Sequence, residues 1–173
     1  MKLKTILSFF ILSSWLANYP IAAQNCERDS LLYLTAFNYI LKDSINHNNS
    51  IAVSDSIIDL DRFWFSKGLE NFPNEKELLN QYRANKGYKW FKPYHSKLIN
   101  LLFCRQKNEQ KVLFFSPIEN NILRADLLPI NQRSKDIFDY NKLASFTEGY
   151  QYLFIFNNSK TIKLALCRKI IYD

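Results

Sequence analysis

Tyr150-Gln151-Tyr152-Leu153-Phe154-Ile155-Phe156-Asn157-Asn158-Ser159-Lys160-Thr161-Ile162-Lys163-Leu164-Ala165-Leu166 decides the fold class. Two apolar runs rich in aromatic and β-branched residues flank a polar cluster of turn formers, which is the pattern of a β-hairpin. The two arms differ. Ile162, Leu164 and Leu166 alternate with Thr161, Lys163 and Ala165, so the second arm has one wet face. Tyr152–Phe156 is apolar on both sides and has to be covered twice.

Working outward, the second half of the chain repeats this theme. Leu98–Cys104, Lys111–Ser116 and Ile122–Leu128 read as strands separated by the polar turns Gln106–Gln110 and Glu119–Asn121. In the last of them Leu123, Ala125 and Leu127 alternate with Arg124 and Asp126, which predicts a wet face, whereas Val112-Leu113-Phe114-Phe115 is apolar on both sides. The polar connection Asn131–Gly149 carries a short helix around Asp136–Leu143. The first half is helical. Tyr33, Leu34, Phe37, Ile40, Leu41 and Ile45 recur at the spacing of one helical face over Glu27–Asn46. Ile51–Leu60 is a strand candidate interrupted by Asp55 and Asp59. A second helix is bounded by Asn74 as cap, Glu77 in capping-box position and Gly87 as stop. The expectation is an α+β domain with N-terminal helices packed on an antiparallel sheet of about five strands made of hairpins. Two helices cover one face; curvature of the sheet, a partner or a ligand must cover the other. In element order alone this resembles cystatin-like and nuclear-transport-factor-like domains, a resemblance that assigns no site residues.

Residues 1–23 read as a signal peptide. Lys2 and Lys4 precede the apolar stretch from Ile6 through Ala17, Tyr19-Pro20 breaks it, and Ile21-Ala22-Ala23 supplies the small residue before a cut. The apolar core is too short to span a bilayer, which takes about twenty helical residues. Cleavage after Ala23 leaves 150 of the 173 residues, one domain at 24–173, secreted or periplasmic, with no transmembrane segment. Ala23-Gln24-Asn25 before Cys26 does not match the small residues of a lipoprotein box. Losing Lys2 and Lys4 takes the net charge from +7 to +5, spread along the chain, which does not mark a specific nucleic-acid partner.

Few chemistries have support. With Gly68, Gly87 and Gly149 as the only glycines, no phosphate-binding loop, dinucleotide fingerprint or nucleophile elbow is present, and no cofactor is implied. Zinc spacings are missing. Asp55, Asp59 and Asp61 lack the spacing and glycine of a calcium loop and read as a solvated face or a partner for Arg62, so no metal site is expected. Cys26, Cys104 and Cys167 are an odd set; Cys104 and Cys167, near predicted strand ends, are a disulfide candidate beside the plainer reading of idle or buried thiols. His95 and Cys104 offer a weak catalytic pair.

The richest stretch is Lys86-Gly87-Tyr88-Lys89-Trp90-Phe91-Lys92-Pro93-Tyr94-His95, with Phe63-Trp64-Phe65 upstream. Aromatics interleaved with lysines stack on sugars or meet a partner, unless the rings are core and only the ammonium groups reach water. The sequence therefore reads as an exported, non-enzymatic binding or interaction domain whose surface around Trp64, Lys89, Trp90, Lys92 and Tyr94 meets a protein, glycan or envelope component. Two alternatives stand: an exported hydrolase using His95 and Cys104 or a carboxylate pair, and a structural subunit forming a homodimer through its doubly apolar strands. Mass spectrometry of the protein recovered from its native host is expected to find an N-terminus at Gln24; an intact Met1 start in a cytosolic fraction overturns the export reading.

Overall fold

The computed structural model describes residues 19–46, 50–86, 92–103, 109–130, 138–145 and 147–172. The chain forms α1 (Tyr19–Lys42), a 3-10 turn (Ser44–Asn46), β1 (Ile51–Ile57), a 3-10 segment (Phe63–Leu69), α2 (Pro73–Lys86), β2 (Tyr94–His95), α3 (Lys97–Leu102), β3 (Lys111–Phe115), β4 (Ile122–Pro129), α4 (Tyr140–Ala144), β5 (Thr147–Phe156) and β6 (Ile162–Tyr172). Most of the expected leader lies outside the described residues, and α1 spans the expected cleavage position between Ala23 and Gln24. No described helix is long and apolar enough to cross a membrane.

The strands form one six-stranded sheet in the order β2-β1-β3-β4-β5-β6. The class is α+β, but the expectation of an antiparallel sheet of about five strands is corrected. β3 to β6 form an antiparallel meander, while β1 pairs with β3 in parallel, from Ile51 opposite Lys111 to Ile57 opposite Phe115. The cause is the long connection between Ile57 and Lys111. It carries the 3-10 segment, α2, β2 and α3, so the chain crosses over and re-enters the sheet in its original direction.

Leu98–Cys104 is not a strand over its described residues: Lys97–Leu102 is helical, and Ser96 Oγ accepts the Ile99 N–H at 3.4 Å to cap the first turn. A short apolar run has no intrinsic period, and the serine cap decides it. In α2, Pro73 opens the helix, where its missing N–H costs nothing, and Asn74 lies inside the first turn. Glu77 accepts from Gln81 at 3.1 Å, one turn on. The β3–β4 turn uses Asn120 and Asn121 at φ 50 and 61, the left-handed conformation that asparagine tolerates, with Ile122 N–H donating to Glu119 at 2.8 Å.

The doubly apolar strands are covered on both sides by the chain itself. One face of the sheet packs Leu113, Phe115, Leu123, Tyr152 and Phe154 against Leu32, Tyr33, Ala36 and Ile40 of α1 and Ile99 of α3. On the other, Val112, Phe114 and Leu128 meet Leu143 and Ala144 of α4. Farther along that face, Ile122, Leu153 and Ile155 meet Phe65, Leu69, Leu79 and Tyr82 from the 3-10 segment and α2. The helices are thus divided between the faces, and neither curvature, partner nor ligand is needed to cover β3 and β5.

Gly149 of β5 sits where a side chain has no room. A Cβ there would lie 3.0 Å from the Leu127 carbonyl oxygen and 2.7 Å from Leu128 Cδ2. Because the carbonyl belongs to the β4–β5 ladder, it cannot retreat without a ladder bond. Gly149→Ala is expected to destabilise the domain by about 1–3 kcal/mol, read as a lower midpoint in urea unfolding.

Candidate functional site

The predicted wet face of β4 is dry. Arg124 is 4% exposed and Asp126 is fully buried, so that expectation is corrected. They lie between the two apolar clusters of the second face, in a row set by strand register: Asp126 opposite Gln151, and Gln151 opposite Arg168. Arg124 Nε and Nη2 each donate to one carboxylate oxygen of Asp126 at 2.7 Å, and Nη1 donates to the Asp61 carbonyl. The Asp126 carboxylate also accepts the hydroxyls of Tyr140 at 2.8 Å and Tyr172 at 2.6 Å. Burial and the neighbouring carboxylate push the Tyr172 phenol up to about 12 and that of Tyr140 higher still, so both stay protonated donors. Gln151 donates to Tyr172 at 3.0 Å and accepts from Arg168 Nε at 2.7 Å. The network is closed on itself and holds structure.

Arg62 is engaged well outside the Asp55, Asp59 and Asp61 group. It is fully buried, donating to Glu119 at 2.9 Å, to Ser116 Oγ at 3.0 Å and to the Pro117 carbonyl, with its guanidinium 4.3 Å from the Tyr82 ring centre. The acidic group is dispersed: Asp61 accepts the Phe63 N–H at 2.9 Å, and Asp55 pairs with His95 Nδ1 at 3.0 Å. Among the described residues, no three metal-ligating side chains come together.

The aromatic–basic residues do not form one patch. Trp64 is 64% exposed and Tyr94 is 49% exposed. The Trp64 backbone is tied to β6 through Arg168 Nη1 at 3.1 Å, whereas Tyr94 lies on β2, opposite Ile57 of β1. Five strand spacings separate β2 from β6, roughly 24 Å. Lys92 is exposed beside Tyr94. Lys89 and Trp90 lie outside the described residues. The upstream cluster is split: Phe65 is buried while Trp64 faces solvent. Beside it is a pair that the sequence reading missed, the Arg83 guanidinium stacked 3.9 Å from the Phe63 ring centre. Twenty residues separate the two in the chain, so local composition gave no signal of it.

His95 is exposed on the edge strand with its Nδ1 3.0 Å from the Asp55 carboxylate, and Cys104 lies outside the described residues. Cys167 carries a free, exposed thiol in β6, raised above its usual value chiefly by desolvation. A groove of about 420 Å³ runs past Lys111, Tyr150, Glu148 and Lys169, with the Lys111 ammonium 5.6 Å from the Tyr150 ring centre. Three separate strands supply these residues, which is why no local motif announced them.

Asp126→Ala leaves Arg124 buried without its counter-charge and is expected to cost about 3–5 kcal/mol, whereas the double replacement of Arg124 and Asp126 by leucine costs less than Asp126→Ala alone. Chemical denaturation of the single and double variants measures this; equal costs for the two would remove the pairing argument. Comparison with protein-family models, curated proteins and solved structures finds no match for this chain.

Proposed function

We propose that the chain is an exported, non-enzymatic binding domain whose recognition surface is the 3-10 segment Phe63–Leu69 with the adjoining face of α2. The observation that carries this reading is Trp64, a large ring left 64% exposed on a firmly held backbone. Phe65 and Leu69 of the same segment are buried in the core, and Arg168 holds the Trp64 carbonyl from below. An exposed tryptophan held in place loses little freedom on docking, and such residues carry a disproportionate share of interface energy. The Arg83–Phe63 stack and exposed Lys67 give the surface cationic character. That combination suits a protein or glycan of the envelope with acidic or ring-faced groups.

Lys92 and Tyr94 belong to the other edge of the sheet and form a separate surface. The cysteine hydrolase reading is not supported by the described geometry: the imidazole is held by Asp55 on an exposed edge strand, and Cys104 lies outside the described residues.

Glycan arrays and pull-downs from envelope fractions with the tagged mature protein supply the test. Trp64→Ala with Arg83→Ala is expected to abolish retained binding while the unfolding free energy changes by no more than about 0.5 kcal/mol per exposed site. Binding that survives both substitutions removes this surface from consideration.

A further inference from the structure

We infer that the groove between the start of α2 and the β3–β4 and β5–β6 turns is a binding site for a neutral carbohydrate. The groove encloses about 410 Å³, within the roughly 300–1,000 Å³ of small-ligand sites. Three elements far apart in the chain bring amides to it: Asn74 from α2, Asn120 and Asn121 from the β3–β4 turn, and Asn157 and Asn158 from the β5–β6 turn. Leu78, Ile155 and Phe156 supply apolar lining.

Turn chemistry explains only part of this set. Asn120 and Asn121 hold the left-handed conformation, and Asn157 closes its own turn, donating from Nδ2 to Thr161 Oγ1 at 2.6 Å and accepting the Thr161 N–H at 3.0 Å. Asn74 and Asn158 have no such duty. Asn74 lies inside a helix, where asparagine is a poor former, and the Asn158 backbone is not left-handed. Among the described residues, the side-chain amides of Asn74, Asn120 and Asn158 make no hydrogen bond, and all three residues are exposed. They are spare donors and acceptors around one space.

The walls of that space are fixed. The Phe156 N–H donates to the Asn121 carbonyl at 2.9 Å and joins the β3–β4 turn to the end of β5. Lys163 of β6 pairs with Glu75 in the first turn of α2 at 2.6 Å and ties the helix to the sheet beside the groove. A ligand meets a preformed surface, so little ordering is left to oppose binding.

The ligand class follows from the charge and hydrogen-bonding inventory of the lining. Glu75 and Lys163 are the ionic groups of the groove, and they neutralise each other. A charged ligand gives up hydration here and finds no spare counter-charge. Each amide offers two donors and one carbonyl acceptor in a plane, which matches the adjacent hydroxyls of a sugar, themselves both donors and acceptors. Leu78, with Ile155 and Phe156 behind it, suits the C–H face of a sugar ring. The groove does not depend on the Trp64 surface. Trp64 is held by Arg168, which stands about 16 Å along β6 from Lys163.

Isothermal titration of the mature chain with cellobiose, chitobiose, maltose and lactose tests this, with digalacturonic acid as the charged counterpart. Saturable binding of at least one neutral disaccharide is expected, with digalacturonic acid weaker. Asn74→Ala with Asn158→Ala is expected to weaken binding about tenfold, as the loss of two neutral hydrogen-bonding groups implies, with unchanged circular dichroism. Asn120→Gly, which keeps the left-handed turn, is expected to weaken binding severalfold and reads the site even if the paired substitution disturbs α2. No saturable binding of the four neutral disaccharides, digalacturonic acid binding as tightly as they do, or full affinity in the asparagine variants overturns the inference. Disaccharide binding that is lost in Trp64→Ala with Arg83→Ala but kept in the asparagine variants assigns the sugar to the Trp64 surface and overturns the groove alone.

Discussion

The carboxylate of Asp126 is the point at which distant parts of the chain are tied together. Arg124 reaches it from two residues away on β4, Tyr140 from α4, Tyr172 from β6, and Gln151 from β5 within 3.5 Å. Through Arg124 the tie extends to the Asp61 carbonyl, in the connection that leaves β1. Taking two charges out of water costs several kcal/mol per ion, and the mutual attraction repays this only with full hydrogen bonding. Here Nε and Nη2 of Arg124 are matched to the two oxygens of Asp126, and two phenols complete the shell. The arrangement does more for specificity than for net stability. Slipping β4 by one residue would move Asp126 into the face occupied by Leu123, Ala125 and Leu127, where no donor waits.

Around that tie, the apolar strands dictate the remainder. β3 and β5 have no wet face, so the chain has to supply two layers of cover. It does so by interrupting the sheet: the long excursion between β1 and β3 lays the 3-10 segment and α2 over one face and α3 beside α1 on the other. The parallel β1–β3 pair is the topological consequence of that excursion, because a chain that has crossed the sheet re-enters it in its starting direction. Gly149 marks how tightly neighbouring strands pack, with the β4 backbone and Leu128 filling the space of its missing side chain.

The meander was legible in the residues because its signals are local. The apolar runs at Val112, Ile122 and Tyr152, and the asparagine turns between them, name strands and turns without reference to anything distant. The presence of α1 and α2 was legible for the same reason, although Leu34 and Leu41 of the expected α1 stripe are exposed while Leu32 and Ala36 are buried. What escaped is non-local. The Arg124–Asp126 alternation looks like a solvated face until Tyr140 and Tyr172 arrive to satisfy the carboxylate. Leu98–Phe103 is short enough to suit either regular structure, and one serine cap settles it. Arg62 stands in the sequence beside three aspartates, yet its guanidinium turns to Glu119, 57 residues on. Of the proposed surface, Trp64 was visible as a residue type, but its exposure depends on Phe65 and Leu69 taking the buried positions of the same turn. The link from Trp64 to Arg168 crosses 104 residues of chain and leaves no mark in either segment.

That last link joins the interior to the surface. Arg168 belongs to the row that begins at Asp126: its Nε binds Gln151, Gln151 binds Tyr172, and Tyr172 binds Asp126. From the other end of the same guanidinium, Nη1 grips the Trp64 carbonyl, and the group as a whole lies 5.0 Å from the Phe65 ring centre. The exposed ring is thus mounted on a backbone whose position is set by a buried carboxylate two strands away. A recognition surface needs such support from residues with locked rotamers, since looseness in the mount is paid in affinity. The same strand carries this support inward, so β6 is where the order of the core reaches the exposed Trp64 ring.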